Sequence, residues 1–186
     1  MKARILVFFI LAALFASLGC EVPEPVVRDT DQAPSWESTL AGGEAINSTE
    51  LLENGPYILY FVKIGCPINE PLVQYFNEVG SAYEGIQFYG VIDGNQAEFE
   101  RWNRSHSVDF PMILDPDMRL IRSFDAEASP WVVVVDENGG FGRIDPGTSQ
   151  SRLMSLNEFS ARTAQVPMKK IDFSGVSERD TFGCRF

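Results

Sequence analysis

A buried strand that leads directly into a cysteine and a proline constrains this chain more than any other feature. Tyr57–Val62 is an unbroken run of aromatic and branched apolar residues, which is typical of a strand inside a sheet. Gly65, Cys66 and Pro67 follow closely. Beyond them, apolar residues recur at helical spacing: Leu72, Phe76, Val79 and Tyr83. The sequence therefore predicts a site of thiol chemistry, or the remains of one, where a strand gives way to a helix.

The rest of the chain alternates between strand and helix patterns. Predicted strands are Ile86–Ile92, Phe110–Leu114, Trp131–Val135 and Phe141–Asp145. Predicted helices are Gln96–His106, Met118–Phe124 and Gln150–Ala164. Asn138-Gly139 is a strong hairpin signal between the last two strands. A chain of 186 residues with this order suits one α/β domain, with a central mixed sheet flanked by helices.

The dipeptides Cys66-Pro67 and Ser129-Pro130 resemble the active-site cysteine and the cis-proline of the thioredoxin-like superfamily. The resemblance extends from about Asn47 to about Ala164. The extra strand and helix before Ser129 are similar to the insertion of the redoxin branch, which contains alkyl hydroperoxide reductase/thiol-specific antioxidant proteins and membrane-anchored thiol–disulfide proteins. The resemblance implies a thioredoxin-like three-layer fold.

The same resemblance assigns roles to individual residues. It implies that Ser129-Pro130 is a cis peptide close to Cys66, with Pro67, Ser129 and Trp131 lining a substrate groove. A trans proline that begins an edge strand is the alternative for Pro130. Thioredoxin-like proteins commonly kink the helix after the cysteine at a proline, which favours a helix that begins at Pro67.

The start of that helix decides the environment of the cysteine. If the helix begins at Pro67, its dipole favours a Cys66 thiolate, and Pro71 kinks the helix. If it begins near Glu70 with Asn69 as its N-cap, Pro71 is harmless and Cys66 lies further from the dipole. We expect the first arrangement, and with it a Cys66 pKa below the usual value.

The motif departs from two familiar mechanisms. Asn69 occupies the second cysteine position of Cys-x-x-Cys, so a dithiol within one turn cannot form. Lys63 stands where peroxiredoxins, which the chain resembles, carry a hydroxyl residue. A lysine there favours a thiolate only if its side chain points toward Cys66, and the strand alternation does not decide this.

The third cysteine leaves several arrangements open. If Cys20 is lipidated, Cys66 and Cys184 are the two cysteines that remain free to pair. An oxidising compartment favours a disulfide between them. Thr181-Phe182-Gly183-Cys184 is similar to the ending of redoxin-branch proteins that lack Cys-x-x-Cys. Cys184 is then a resolving thiol; alternatively the bond is a structural staple, or both thiols are free.

The N-terminus predicts export. Lys2 and Arg4 precede the apolar run Ile5–Leu18, which has the length of a signal-peptide core, and Gly19-Cys20 resembles a lipobox. We expect a signal peptide over residues 1–19, lipid attachment and a flexible tether over 20–46, a domain over 47–164 and a tail over 165–186. Ordinary secretion and a retained anchor are the alternatives to a lipoprotein facing the periplasm or the cell exterior.

Charge and composition limit the range of possible functions. The net charge of −11, or −13 once Lys2 and Arg4 are removed with the signal, argues against binding nucleic acid. One histidine, His106, and no Cys/His cluster give no support for a metal or another cofactor. The expected function is that of a thiol–disulfide oxidoreductase in which Cys66 attacks, with protein or small-molecule thiols and disulfides as partners. The alternatives are a catalytically silent binding module with a structural bond and, less favoured, a peroxidase.

Overall fold

The computed structural model describes residues 32–186, which form a seven-stranded mixed sheet with helices on both faces. The strands are β1 (Glu37–Leu40), β2 (Ala45–Asn47), β3 (Tyr57–Val62), β4 (Gln87–Ile92), β5 (Met112–Leu114), β6 (Ala128–Ser129), β7 (Trp131–Val135), β8 (Phe141–Pro146) and β9 (Cys184–Arg185). The helices are α1 (Ser48–Glu53), α2 (Val73–Ala82), α3 (Gln96–His106), α4 (Arg119–Ser123) and α5 (Gln150–Thr163), and a 3₁₀ turn, Glu70–Leu72, precedes α2.

Strand β3 lies inside the sheet, and its position explains its sequence. The order of the large sheet is β2-β1-β5-β4-β3-β7-β8, with β3 parallel to β4 and antiparallel to β7. All six residues of β3 are buried, because neighbouring strands cover both edges and helices cover both faces. The remaining strands, β6 and β9, form a separate two-stranded ladder.

Alternation along β3 separates two apolar clusters. Ile58, Tyr60 and Val62 pack with residues of α2 and α5 on one face. Tyr57, Leu59 and Phe61 pack with residues of α1 and α4 on the other. The predicted α/β fold with a central mixed sheet is therefore confirmed. Its carboxyl edge, where β3 ends at Val62, is the edge from which the chain reaches Cys66.

Most of the predicted elements agree with the structure to within two residues. The boundaries Tyr57–Val62, Gln96–His106 and Trp131–Val135 are the same in both. The capping box of α3 explains one of them, because Asn95 accepts from the backbone of Glu98 while the Glu98 carboxylate accepts from Asn95.

The sheet also includes chain that was expected to belong to the tether. Residues 37–47 form the hairpin β1–β2, and β1 pairs with β5 through Thr39 and Leu114. The tether prediction is thus wrong from Glu37 onward. Cys20 and the predicted signal peptide lie outside the described residues. Within residues 32–186, no helix has the length and apolar character needed to cross a membrane.

Candidate active site

Cys66 lies in a turn between β3 and the helical segment, and it is only 3% exposed. Its N–H donates to the carbonyl of Lys63 (3.3 Å), and its carbonyl accepts from the N–H of Asn69 (3.1 Å). Regular helix does not begin at Pro67: a 3₁₀ turn starts at Glu70, and α2 starts at Val73. The favoured helix start is therefore wrong, and the alternative near Glu70 is the observed one.

Asn69 explains why the helix begins late. It was expected, in that alternative, to cap the helix, but its side chain makes no capping hydrogen bond. Instead Nδ2 donates to the carbonyl of Lys63 (2.8 Å), and Oδ1 accepts from Ser129 Oγ (2.8 Å). The residue that replaces the second cysteine of the motif is fully buried and ties the Cys66 turn to the strand before Pro130. It is a structural link at this site.

Asp93 supports the same turn from the end of β4. Its Oδ1 accepts the backbone N–H of Ile64 at 2.7 Å. Burial raises the pKa of Asp93 above its usual value, and the hydrogen bond from Ile64 and the charge of Lys63 oppose that rise. The carboxyl group thus fixes the backbone two residues before Cys66.

The peptide bond between Ser129 and Pro130 is cis, as predicted, and it lies against Cys66. The Cys66 Sγ is 3.7 Å from the carbonyl oxygen of Ser129. Ser129 Oγ accepts from the Lys63 N–H (3.0 Å), and the carbonyl of Phe61 lies 3.1 Å from it as a further acceptor. These contacts bring the cysteine and the cis-proline into one site.

Cys184 reaches this site from the far end of the chain and is bonded to Cys66. Their Cα atoms are 5.7 Å apart, across 118 residues of sequence. The tail continues as β9, which pairs antiparallel with β6, so that Cys184 lies opposite Ser129 and Arg185 opposite Ala128. The Phe186 N–H donates to the carbonyl of Glu127 (3.1 Å). The tail therefore covers the strand that leads into Pro130.

Gly183 is required for this close approach. A Cβ at residue 183 would lie 1.6 Å from the carbonyl oxygen of Ser129 and 2.9 Å from Cδ of Pro130. Backbone atoms cannot move away cheaply, so no other residue fits here without displacing the tail. The glycine before Cys184 lets the tail lie directly on the cis-proline.

Three other residues named from the sequence, Trp131, Lys63 and Pro67, flank the site. Trp131 lines a cavity of about 450 Å³ together with Phe182, two residues before Cys184. The Lys63 ammonium points to the tail, where its Nζ lies 5.9 Å from the centre of the Phe186 ring. Pro67 is exposed beside Cys66. The lone His106 stacks on Trp102 and faces Glu70, in a packing environment.

The sequence had named Cys66, Cys184, Ser129 and Pro130, and the structure brings all four together. Asp93 and the structural role of Asn69 were missed. No local signal in the sequence links Asp93 to Ile64. The glycine before Cys184 was noticed as part of the tail pattern, but its contact with Ser129 depends on the folded tail.

Comparison with known proteins agrees with this geometry. The chain is 22% identical over 151 residues to the thiol-disulfide oxidoreductase ResA of Bacillus subtilis (strain 168), covering 75% of this chain and 82% of that protein. Two solved structures share the fold. One is a secreted Mycobacterium tuberculosis disulfide oxidoreductase homologous to E. coli DsbE (TM-score 0.59, 16% identity, 68% of this chain and 95% of that one). The other is a thiol:disulfide interchange protein of the thioredoxin family from Chlorobium tepidum TLS (TM-score 0.59, 19% identity, 72% and 95%).

The family assignment rests on a separate match, to a family profile. The sequence profile of the AhpC/TSA family matches residues 30–141, which is more than half of the chain. This region runs from before β1 to the start of β8 and includes Cys66, Asn69 and the cis Ser129-Pro130 peptide. The chain belongs to the AhpC/TSA family.

Proposed function

We propose that the protein is an exported thiol–disulfide oxidoreductase in which Cys66 is the nucleophile and Cys184 is the resolving thiol. The observation that carries the proposal is the bond between Cys66 and Cys184 directly against cis-Pro130. A dithiol and a disulfide are the two states that such a protein exchanges with its partner. The tail supplies the second thiol that Asn69 does not.

The exchange can be written with atoms balanced. In the dithiol form, the Cys66 thiolate attacks a partner disulfide, giving a mixed disulfide at Cys66 and a partner thiolate that takes up a proton. The Cys184 thiol loses its proton to solvent, and its thiolate attacks Cys66 Sγ. The Cys66–Cys184 bond forms, the mixed disulfide breaks, and the partner leaves as a dithiol. The reverse sequence oxidises a partner dithiol.

Protein and small-molecule thiols or disulfides are the proposed partners. A protein partner would approach through the predicted groove of Pro67, Ser129, Pro130 and Trp131. Strand β6 is paired with the tail in the oxidised form, so an extended partner segment reaches it only after β9 has moved. This requirement links the redox state of the bond to access to the groove.

A peroxidase is less well supported. Lys63, at the position of the peroxiredoxin hydroxyl, directs its ammonium toward Phe186. The hydroxyl of Ser129 is engaged by Lys63 N–H, Asn69 and the Phe61 carbonyl. Neither group is available in this form to hold and polarise a peroxide.

Trapping variants test the proposed function. Cys184→Ser should leave Cys66 in mixed disulfides with partners, because the resolving thiol is gone, and Cys66→Ser should give none. The measurement is non-reducing electrophoresis and mass spectrometry of protein recovered from its native compartment. The catalytically silent module predicts a different result: both variants trap nothing, and both lower the free energy of unfolding alike, by about 2–4 kcal/mol.

We propose that Cys20 carries lipid and anchors the exported protein to a membrane. The proposal is supported by Ile5–Leu18 and Gly19-Cys20 in the sequence. Intact-mass analysis of the membrane fraction should find a diacylglycerol-modified chain that begins at Cys20. A mature chain in the soluble fraction with a different N-terminus would overturn it.

A further inference from the structure

The tail that carries Cys184 is attached to the domain at a second place, which does not involve the disulfide. Thr181 and Thr148 exchange two backbone hydrogen bonds, of 2.8 and 2.9 Å. The N–H of Gln150, the first residue of α5, donates to the carbonyl of Ser177 (2.9 Å). These contacts hold residues 177–181 at the N-terminus of α5, a few residues before Cys184.

An ion pair reinforces the attachment. Arg152 donates through Nε to Asp180 Oδ1 and through an Nη to Asp180 Oδ2, both at 3.1 Å. This is the two-bond geometry in which arginine and a carboxylate bind each other best. The Arg152 side chain is 5% exposed and that of Asp180 is 37% exposed, so the pair lies at the edge of the core.

The arginine has a reason to require this partner. It lies in the first turn of α5, where the helix dipole disfavours a cation. Arg152 also pairs with buried Asp145 (3.2 Å), and Asp145 is shared with buried Arg143 (2.8 Å). Two buried guanidinium groups thus share the Asp145 carboxylate. Asp180, brought by the tail, gives Arg152 a second carboxylate partner.

We propose that Asp180 is a positioning residue for the thiol–disulfide couple: its ion pair with Arg152 keeps the tail on the domain in the dithiol form and so keeps Cys184 within reach of Cys66. The segment that moves when the bond opens is then residues 182–186, hinged after Thr181. Ring closure is favoured because the chain from Cys66 to Cys184 is already closed at Asp180. This inference rests on the proposed function for its meaning but not for its test.

The test compares Asp180→Asn with Glu178→Gln, which removes the same charge from an exposed tail residue two positions earlier. Each protein is equilibrated with mixtures of reduced and oxidised glutathione, and the fraction of Cys66–Cys184 bond is measured by alkylation and intact mass. We expect Asp180→Asn to lower the equilibrium constant for closing the bond about tenfold, which raises the reduction potential by about 30 mV. Glu178→Gln should match the unaltered protein.

Two further readouts separate positioning from a loss of structure. Hydrogen exchange at the Thr181 amide should stay slow in the dithiol form of the unaltered protein and become fast in Asp180→Asn. Asp180→Glu keeps the carboxylate, so its reduction potential should lie closer to that of the unaltered protein than the potential of Asp180→Asn does. Thr181→Pro removes the N–H that donates to Thr148 and leaves the buried charges intact, so it should shift the potential in the same direction.

The outcomes are distinct from those of the proposed function. If Asp180→Asn and Glu178→Gln have the same potential, and the Thr181 amide exchanges equally in both, the inference is wrong even if Cys66 traps partners. If the potential shifts while Cys184→Ser traps nothing, the inference stands and the oxidoreductase proposal fails. Glutathione is the sole redox partner in this experiment, so no protein substrate is needed.

Discussion

The two halves of the disulfide are held in different ways. Cys66 lies in a turn that is fixed by the core of the domain, through Asn69, Ser129 and Asp93. Cys184 lies on an irregular segment, residues 177–186, which contacts the domain through the β6–β9 ladder, backbone hydrogen bonds at Ser177 and Thr181, and the ion pair of Asp180. A redox pair built this way keeps one thiol in a constant position and lets the other move.

The comparison also explains which half tolerates change. The Cys66 turn is held by hydrogen bonds of Asn69 and Ser129, which are fully buried residues, and of Asp93. The contacts of residues 177–186 lie at the edge of the core, whereas Phe173 and Val176, earlier in the tail, are buried in it. Each change below perturbs the contacts of either the Cys184 tail or the Cys66 turn, and the changes are given from the largest expected effect to the smallest.

Gly183→Ala should disrupt the packing of the tail on the domain. The added Cβ would lie 1.6 Å from the Ser129 carbonyl oxygen, so β9 cannot lie on β6 as it does now. We expect the equilibrium constant for closing the Cys66–Cys184 bond to fall about 10- to 100-fold, from the usual energetic cost of overpacking. Glutathione equilibration measures it. Gly42→Ala is the control, because a Cβ there meets nothing within 4 Å. Unchanged bond formation in Gly183→Ala would contradict the described docking of the tail.

Asn69→Ala should weaken the hydrogen bonds that hold the Cys66 turn. It leaves the Lys63 carbonyl and the Ser129 hydroxyl without the amide that joins them. We expect the free energy of unfolding to fall by about 1–3 kcal/mol, the net contribution of two intramolecular hydrogen bonds. Chemical denaturation of the dithiol form measures this without the contribution of the disulfide.

The matched control for Asn69 is Asn54→Ala. Asn54 also donates its amide to a backbone carbonyl, that of Glu50 (2.9 Å), but at an exposed position. Its loss should change the free energy of unfolding by less than about 0.5 kcal/mol. Equal effects of the two substitutions would show that the Cys66 turn is no more firmly held than the surface.

Acid should loosen the attachment of the tail at Asp180. Hydrogen bonds from Arg152 and Ser149 hold the pKa of Asp180 below its ordinary value of 3.8. The stabilisation from a lowered carboxyl pKa is complete above the ordinary value and is lost as the pH falls through the lowered one. We therefore expect hydrogen exchange at Thr181, corrected for the intrinsic pH dependence, to accelerate only below about pH 4. Acceleration already at pH 6, or none in acid, would argue against the ion pair as the attachment.

The Cys66 half was also the more predictable from sequence. The strand Tyr57–Val62 follows from a local pattern, because a buried strand must be uniformly apolar. The cis Ser129-Pro130 peptide followed from the resemblance to the thioredoxin-like superfamily. The predicted start of the next helix was wrong, because Asn69 forms a hydrogen bond across the site with Ser129. That choice depends on a residue 60 positions away.

The parts that were missed depend on tertiary contacts. Glu37–Leu40 is too short and polar to predict a strand, and it becomes one by pairing with β2 and β5. The attachment of Asp180 to Arg152 joins two charged residues that local sequence treats as surface. The sequence predicted that a tail carrying Cys184 is long enough to reach Cys66. It did not predict the path of that tail over Ser129.

The measurement that tests the central claim most directly is the reduction potential of the Cys66–Cys184 bond. A working couple should be reduced and reoxidised by cellular thiol systems, so we predict a value between those of thioredoxin and disulfide isomerase, about −270 to −180 mV. Equilibration of the unaltered exported domain with dithiol and glutathione buffers gives the value. A potential below about −300 mV would identify a permanent structural bond and would contradict a resolving role for Cys184.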